Sequence, residues 1–242
     1  MSRIVTAYVP IPDNPRSERD YHRLGAKLCQ AAPAIRFNGT VEDCWLYGYL
    51  VKHKHTFTHS VADNPQKNSL YYHIVQAEKT ECLRKAAQYD PHSEVFVWID
   101  YGIFHLPGMT VDIVKSFLKR TETEHAIAIP GCWGKDYVYD DAFPCWRWCG
   151  GVMVVPRAFI VPFADAMQHE CIAHIEETGN VSWEVNTLAR LERNDPYFPG
   201  WWYQADHDLT MFTNYRREEA ADGWNQARAI DFRGVELRSS CV

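Results

Sequence analysis

An uninterrupted apolar run, Val95–Ile99, is the feature that most constrains the fold of this chain. A strand without a polar face must be covered on both sides, which is typical of a central strand in a sheet that helices sandwich. Asp100 is the first polar residue after the run, and Tyr101 and Gly102 follow it. The sequence therefore predicts a buried strand over 94–99 with a carboxylate at its carboxyl end.

Strand-like and helix-like segments alternate through the first two-thirds of the chain. Short apolar or β-branched segments predict strands over 3–9, 34–37, 94–99, 125–129 and 150–155. Apolar residues at helical spacing predict helices over 17–31, 69–89, 110–120, 156–178 and 182–193. This alternation favours an α/β fold with a mostly parallel twisted sheet and helices on both faces. Residues beyond 197 are expected to be irregular.

Length and composition narrow the class of protein. The chain has 242 residues, which fits one domain over 1–242, and a net charge of −6 gives no general attraction to nucleic acid. No window approaches the roughly 18 apolar residues of a membrane span, and no signal peptide is recognisable, so we expect a cytoplasmic protein. Its eight cysteines are then expected to be reduced. Cys145 and Cys149 could pair as zinc ligands on a helix, but a second pair is missing.

Ligands of parallel α/β sheets bind outside the carboxyl ends of the strands, which directs attention to the loop that begins at Asp100. A carboxylate there could hold a divalent cation, or it could simply cap a turn. Lys79, on the helix before this strand, could bind phosphate or could be a solvated surface residue. Gly150 and Gly151 precede the next strand and would allow close approach to a ligand, or would form a packing corner.

Further candidates lie on both sides of these residues. Glu184 could be a catalytic carboxylate, or an acid favoured by the dipole of the helix that it opens. Asp206, His207 and Asp208 are consecutive metal-capable residues, of which an extended chain would turn only His207 or the acid pair towards a site. The tract formed by His53, His55 and His59 could bind metal, although histidines in an exposed loop are more often inert.

In this order, the motifs resemble those of glycosyltransferases with the GT-A fold, and most nearly those of the HtrL-type bacterial glycosyltransferase family. The segments that carry the resemblance are IVTAYVPIP, HIVQAEKTECL, VFVWIDYGIFH, CGGVMVVP, WEVN and YQADHD, between residues 3 and 212. The resemblance implies a donor-binding half over about 1–130, an acceptor-side half over about 131–215 and a tail over 216–242.

The resemblance also implies roles for individual residues. Thr6, Ala7 and Tyr8 would form the pocket for the base of a UDP- or GDP-sugar, and Lys79 would bind the donor. Asp100, Tyr101 and Gly102 would hold Mn²⁺ or Mg²⁺ and the donor diphosphate. Gly150 and Gly151 would lie on the acceptor side, where Glu184 would be the acid near the sugar and act in catalysis with Asp100. His207 would reach the metal.

One position departs from the family pattern, since Gly102 stands where a second metal-binding acid is usual. Metal binding would then depend on Asp100 with His207, or the enzyme would be independent of metal.

The expected reaction is transfer of a sugar to a hydroxyl of a glycan or another acceptor. Three alternatives stay open: a nucleotidyltransferase-like enzyme on a similar sheet, a DNA-base glycosyltransferase, which the net charge does not favour, and a non-catalytic carbohydrate- or nucleic-acid-binding module. The last would use the tryptophans, which cluster at Trp133, Trp146, Trp148, Trp183, Trp201 and Trp202.

Overall fold

The computed structural model describes residues 2–12, 14, 16–54, 68–195, 198 and 200–215. The predicted metal tract is therefore described only at His53, because His55 and His59 lie outside these residues. The ring of His53 stacks on that of Tyr49, with 4.4 Å between the centroids. The predicted tail over 216–242 also lies outside the described residues.

The described strands form one six-stranded sheet in the order β2-β1-β3-β5-β4-β6. The strands are β1 (Ser2–Tyr8), β2 (Ala34–Asn38), β3 (Val95–Ile99), β4 (Ile127–Gly131), β5 (Val152–Pro156) and β6 (Gly200–Gln204). The strand β5 runs antiparallel to both of its neighbours, and the other paired strands are parallel. The expected α/β fold with a mostly parallel sheet is confirmed.

The described residues form eight α-helices, of which the last follows the final strand. They are α1 (Glu18–Ala31), α2 (Trp45–His53), α3 (Leu70–Ala77), α4 (Lys79–Tyr89), α5 (Val111–Thr121), α6 (Arg157–Thr178), α7 (Glu184–Asn194) and α8 (Thr210–Thr213). The side chains of Ser17, Ser69 and Thr110 accept backbone N–H hydrogen bonds at the starts of α1, α3 and α5, which satisfies donors that a helix leaves unpaired. None of the helices that can be described has the length and apolarity to span a membrane.

The strand β3 is buried on both faces, as its apolar run predicts. Its alternate side chains point to opposite faces of the sheet. Val95, Val97 and Ile99 belong to a core with side chains of α1 and α5. Phe96 and Trp98 belong to a second core with side chains of α4, α6 and α7. Helices therefore cover both faces, and the end of β3 is held firmly from each side.

The single helix predicted over 69–89 is instead two helices, α3 and α4, with a break at Glu78. The Glu78 carboxylate accepts hydrogen bonds from the Trp45 backbone N–H at 2.9 Å and from Lys85 Nζ at 2.8 Å. Glu78 is buried, so these bonds hold it at the start of α2. This tertiary contact interrupts a pattern that is helical throughout in local sequence.

The prediction of irregular structure beyond residue 197 is wrong, because β6 extends the sheet beside β4. Successive side chains of β6 enter different cores: Trp202 packs in the core with α4, α6 and α7, and Tyr203 packs in the core with α1 and α5. A strand buried on both faces lacks the polar–apolar alternation that marks a strand in sequence. The aromatic residues here serve packing.

Two helical glycines allow a matched test of the packing beneath β3. A Cβ atom at Gly25 of α1 would lie 1.9 Å from Cε2 of Tyr101, whereas a Cβ at Gly48 of α2 would meet nothing within 4 Å. We expect Gly25→Ala to lower the free energy of unfolding by about 1–3 kcal/mol through overpacking. Gly48→Ala should instead raise it by up to about 1 kcal/mol through helix propensity. Urea unfolding of both variants measures this, and equal stabilities would contradict the tight contact.

Candidate active site

The candidate site lies at the carboxyl end of β3, where Asp100 leaves the sheet. Since β5 runs antiparallel to β3, the start of β5 lies at the same edge. The backbone N–H of Asp100 donates to the Gly151 carbonyl at 3.0 Å. The antiparallel strand therefore brings Gly150 and Gly151 beside Asp100, although some 50 residues separate them in sequence.

Lys79, Asp100 and Glu184 form a charged cluster at this edge. Lys79 Nζ lies 2.7 Å from Glu184 Oε1 and 3.3 Å from Asp100 Oδ1. It also donates to the Gly150 carbonyl at 2.9 Å. The side chains of Lys79 and Glu184 are only 3% and 7% exposed, whereas that of Asp100 is 40% exposed. The cluster therefore presents one carboxylate to solvent and keeps its other two members inside.

The ammonium group of Lys79 stays charged in this environment. Burial disfavours the charge, but the carboxylates of Asp100 and Glu184 outweigh this effect and raise the pKa of Lys79. With its three hydrogens directed at Glu184, Asp100 and the Gly150 carbonyl, Lys79 has no role as a base at neutral pH. It serves instead to hold two carboxylates that would otherwise repel each other. One negative charge is left over, and Asp100 carries it towards solvent.

Gly150 is required by the close approach of Glu184. A Cβ atom at this position would lie 2.3 Å from Glu184 Oε1, and real contacts are not that short. At Gly151 a Cβ would lie 3.7 Å from Asp100 Oδ2, which is an ordinary contact. The sequence suggests that the glycine pair admits a ligand. In the structure, Gly150 admits a side chain of the protein itself.

The oxygens of Asp100 differ in how they are engaged. Oδ1 accepts a hydrogen bond from Trp98 Nε1 at 2.8 Å and faces Lys79. Oδ2 has no partner among the described residues and lies on the exposed side chain. A Mg²⁺-type ion can be held by one carboxylate together with substrate phosphates. Asp100 Oδ2 fits that use, with Gly102 in place of a second acid.

A cluster of aromatic rings adjoins Asp100 at the carboxyl ends of β1 and β3. The ring of Tyr8 lies 5.5 Å from those of Tyr21 and Tyr101 and 4.8 Å from that of His22, measured between centroids. The Tyr101 hydroxyl accepts from Arg36 NH1 at 3.0 Å and lies 3.1 Å from His22 Nδ1. Tyr101 is 4% exposed and Tyr8 is half-buried. Tyr21 is also half-buried and His22 is exposed, so Tyr101 is the member of the cluster that is closed to solvent.

Two arginines border this aromatic cluster. The Arg16 guanidinium lies 5.0 Å from the centroid of the Tyr21 ring, and that of Arg36 lies 5.7 Å from the Tyr101 ring. A Cβ at Gly102 would lie 3.0 Å from Arg16 NH1, so this cation reaches the loop that follows Asp100. The site therefore combines an exposed carboxylate, aromatic faces and two cations.

The remaining residues predicted for the base pocket differ in accessibility. Thr6 is fully buried, and its hydroxyl has no hydrogen-bond partner within the described structure. Ala7 is half-buried and packs at the edge of the core with α4, α6 and α7. A ligand at the end of β1 would therefore contact Ala7 and Tyr8 before Thr6.

His207 does not lie beside Asp100, so the predicted pairing of these two residues is not formed. His207 Nδ1 is 3.6 Å from Cys132 Sγ, and Cys132 Sγ is 3.4 Å from Cys149 Sγ. Hydrogen bonding with Cys149 and with His207 lowers the pKa of the Cys132 thiol. Asp208 accepts from the Thr210 backbone N–H at the start of α8. The predicted metal-capable run therefore divides between a cysteine cluster and a helix start.

The zinc pairing considered for Cys145 and Cys149 on a helix, for which the sequence lacks a second pair, is not formed. Residues 140–151 contain no helix, so the spacing does not align the two thiols. Cys145 packs in the core with α4, α6 and α7, whereas Cys149 packs in the core with α1 and α5. Between them, Arg147 binds Glu192 through both Nε and NH2, at 3.0 and 2.9 Å.

Sequence reasoning missed Arg16, Tyr21, His22 and Arg36. Tyr21 and His22 lie in the first turns of α1, where helical periodicity assigns apolar residues to the core. Arg36 interrupts a short apolar strand near its carboxyl end. That interruption was the available signal, because a cation near the end of a parallel strand lies at the ligand-binding edge.

Removing the Lys79 cation should show how much the buried Glu184 carboxylate destabilises the fold when it has no partner. We expect Lys79→Met to lower the free energy of unfolding by about 3–5 kcal/mol, because it leaves Glu184 buried without a partner. Urea unfolding at pH 8 measures this.

Two further variants make this measurement specific. Lys79→Met combined with Glu184→Gln should recover much of the stability, since no buried charge remains. Lys115→Met, at an exposed position of α5, should change stability by no more than about 0.5 kcal/mol. A Lys79→Met variant as stable as the wild type at pH 8 would contradict the assigned ion pairs.

Comparisons with known proteins give little guidance. No family model matches the sequence, and no curated protein matches it. Among solved structures, the chain is similar to a glycosyltransferase involved in the glycosylation of the major capsid of PBCV-1, with a TM-score of 0.48 and 14% sequence identity. The match covers 85% of this chain and 81% of that one. Since similarity at this level does not establish shared descent or activity, the fold described above rests on the sheet itself.

Proposed function

We propose that the chain is a glycosyltransferase that moves a sugar from a nucleotide-sugar to a hydroxyl group of an acceptor. The observation that carries the proposal is the charged cluster of Lys79, Asp100 and Glu184, which lies beside the aromatic rings and arginines at one edge of the sheet. A nucleoside binds on an aromatic face, a diphosphate needs positive charge, and a reacting sugar needs a carboxylate. The three features occur here at one edge of the sheet, where Asp100 of the charged cluster and Tyr101 of the aromatic cluster are consecutive residues.

The nucleoside end of the donor would lie against Tyr8. Its half-buried ring lies at the carboxyl end of β1 and is supported by those of Tyr21 and Tyr101. Stacking on such a face is available to any base, so uracil and guanine are both acceptable. The UDP- or GDP-sugar expected from the family resemblance therefore remains the proposed donor class.

The diphosphate would lie between Tyr8 and Asp100, within reach of Arg16 and Arg36. Both guanidinium groups border the loop of Tyr101 and Gly102, and Arg suits phosphate oxygens because of its fixed pair of donors. Where Mg²⁺ or Mn²⁺ is bound through Asp100 Oδ2, it would add charge neutralisation for the diphosphate. His207 has no part in this arrangement.

The chemical step breaks the bond between the anomeric carbon and the diphosphate, which leaves with the electron pair. The acceptor oxygen bonds to that carbon, and its hydroxyl proton passes to the Asp100 carboxylate or to water. Positive charge grows on the sugar and negative charge on the leaving group, and fixed charges oriented towards them lower the barrier. Asp100 lies at the exposed end of the cluster, where it would face the sugar or its phosphates. Glu184 would act through Lys79, because the buried Glu184 carboxylate binds the ammonium group of Lys79 and keeps it oriented.

The role of Asp100 is tested by an isosteric change. Asp100→Asn should lower sugar transfer or donor hydrolysis by roughly 10²- to 10³-fold, because it removes the exposed charge of the cluster. The control is Asp112→Asn, at an exposed position of α5, which should leave turnover unchanged. Activity is measured with panels of UDP- and GDP-sugars, with and without Mn²⁺. Full turnover by Asp100→Asn would exclude the proposed site.

The role of Tyr8 is tested by nucleotide binding. Tyr8→Ala should weaken the binding of UDP or GDP by about 1–3 kcal/mol, the contribution of one stacked base. Tyr89→Ala removes a tyrosine that is 79% exposed at the end of α4 and should leave binding unchanged. Isothermal titration measures both. Binding of nucleoside triphosphates alone would instead indicate a nucleotidyltransferase.

A further inference from the structure

Two thiols and an imidazole converge on one point outside the candidate active site. The sulfur atoms of Cys132 and Cys149 and a ring nitrogen of His207 all lie within 4.8 Å of one another. No other group of three such side chains has this spacing in the described part of the chain. The cluster joins three segments: Cys132 follows β4, Cys149 precedes β5, and His207 follows β6.

We propose that Cys132, Cys149 and His207 bind a zinc ion. Zinc bonds of about 2.3 Å to sulfur and 2.1 Å to nitrogen, at tetrahedral angles, place two sulfurs about 3.8 Å apart and a sulfur and a nitrogen about 3.6 Å apart. The observed distances are 3.4 Å between the sulfurs and 3.6 Å from Cys132 Sγ to His207 Nδ1. The third distance, from Cys149 Sγ to a His207 ring nitrogen, is at most 4.8 Å, so a shift of no more than about 1.2 Å would complete the three-ligand geometry.

The backbone holds both cysteines in place for this role. The Cys149 N–H donates to the Pro130 carbonyl at 2.6 Å, and the Cys132 N–H donates to the Trp146 carbonyl at 2.9 Å. The His207 ring lies edge-on to that of Trp146, with 4.3 Å between the centroids. Ligands fixed by outer contacts of this kind bind metal without a large ordering cost.

The ion would be accessible from solvent on one side. Cys149 is fully buried, Cys132 is half-buried and His207 is exposed. A surface cavity of about 510 Å³ opens beside Cys132, along residues 132–138. Three protein ligands with solvent on one side leave a fourth position for water, and thiolates favour zinc over the hard ions Mg²⁺ and Mn²⁺.

Zinc here would fasten the segment that leads into the charged cluster. Cys149 is followed directly by Gly150, whose carbonyl accepts from Lys79, and by Gly151, whose carbonyl accepts from Asp100. The ion would connect this segment to the ends of β4 and β6. Its predicted effect is structural, and it stands whether or not the proposed sugar transfer is correct.

Cobalt substitution tests the site without an activity assay. The reduced, metal-free full-length protein should bind one equivalent of Co²⁺ and develop the near-ultraviolet charge-transfer band of thiolate-bound cobalt, and Zn²⁺ should abolish that band by displacement. Cys132→Ser and His207→Gln should each weaken Co²⁺ binding by more than the roughly 10- to 100-fold that loss of an outer partner costs. Both residues have exposed surface, so folding should survive, and circular dichroism verifies this.

The matched control is Cys29→Ser, which removes an exposed cysteine of α1 and should bind Co²⁺ like the wild type. A wild-type protein without the thiolate band, or a band that persists in Cys132→Ser, would overturn the proposal. A disulfide between Cys132 and Cys149 would also overturn it. Mass spectrometry of protein purified without reductant would detect this disulfide, and it would have to persist when zinc is supplied during expression. Loss of the band in Cys132→Ser together with unchanged nucleotide binding would support zinc independently of the donor site.

Discussion

The buried ammonium group of Lys79 is the constraint on which the candidate site depends. It is 3% exposed and lies between the carboxylates of Glu184 and Asp100. Without it, two negative charges would meet at one edge of the sheet, one of them almost without solvent. The ion pairs therefore serve to hold a geometry, since burying charges seldom yields net stability compared with apolar packing. These ion pairs keep Asp100 oriented, with Oδ1 held and with Oδ2 lacking a partner among the residues that the structure describes.

That orientation requires contributions from parts of the chain that are far apart. Lys79 opens α4, Asp100 follows β3, and Glu184 opens α7. The antiparallel β5 adds the Gly150 carbonyl as a third acceptor for the lysine. A parallel strand at this place in the sheet would begin at the opposite edge. The single reversed strand is thus what closes the cluster.

Much of the fold could be predicted from the sequence, because its central strands are apolar, several helices show helical periodicity, and three of them begin at a capping Ser or Thr. The predicted helix over 17–31 and the strand that ends at Asp100 are both formed. Failures occurred where tertiary contacts decided the outcome: Glu78 interrupts a helix by binding the start of α2, and β6 is buried on both faces. Asp100 could be singled out because its position after a strand is visible in the local sequence. The pairing of Lys79 with Glu184 could not be predicted, since the two residues lie 105 positions apart in the sequence.

The partners of His207 could not be predicted from the sequence either, because they too lie far away along the chain. Its residue type identified His207 as metal-capable. No local pattern shows whether its partner is the carboxylate of Asp100 or the two cysteines, which the end of β4 and the start of β5 bring together. The convergence places Cys149 in one cluster and its neighbours Gly150 and Gly151 in contact with the other. Three consecutive residues therefore link the thiols to the carboxylates. Because Cys149 is covalently joined to Gly150, a shift of Cys149 would act first on the carbonyl that Lys79 binds.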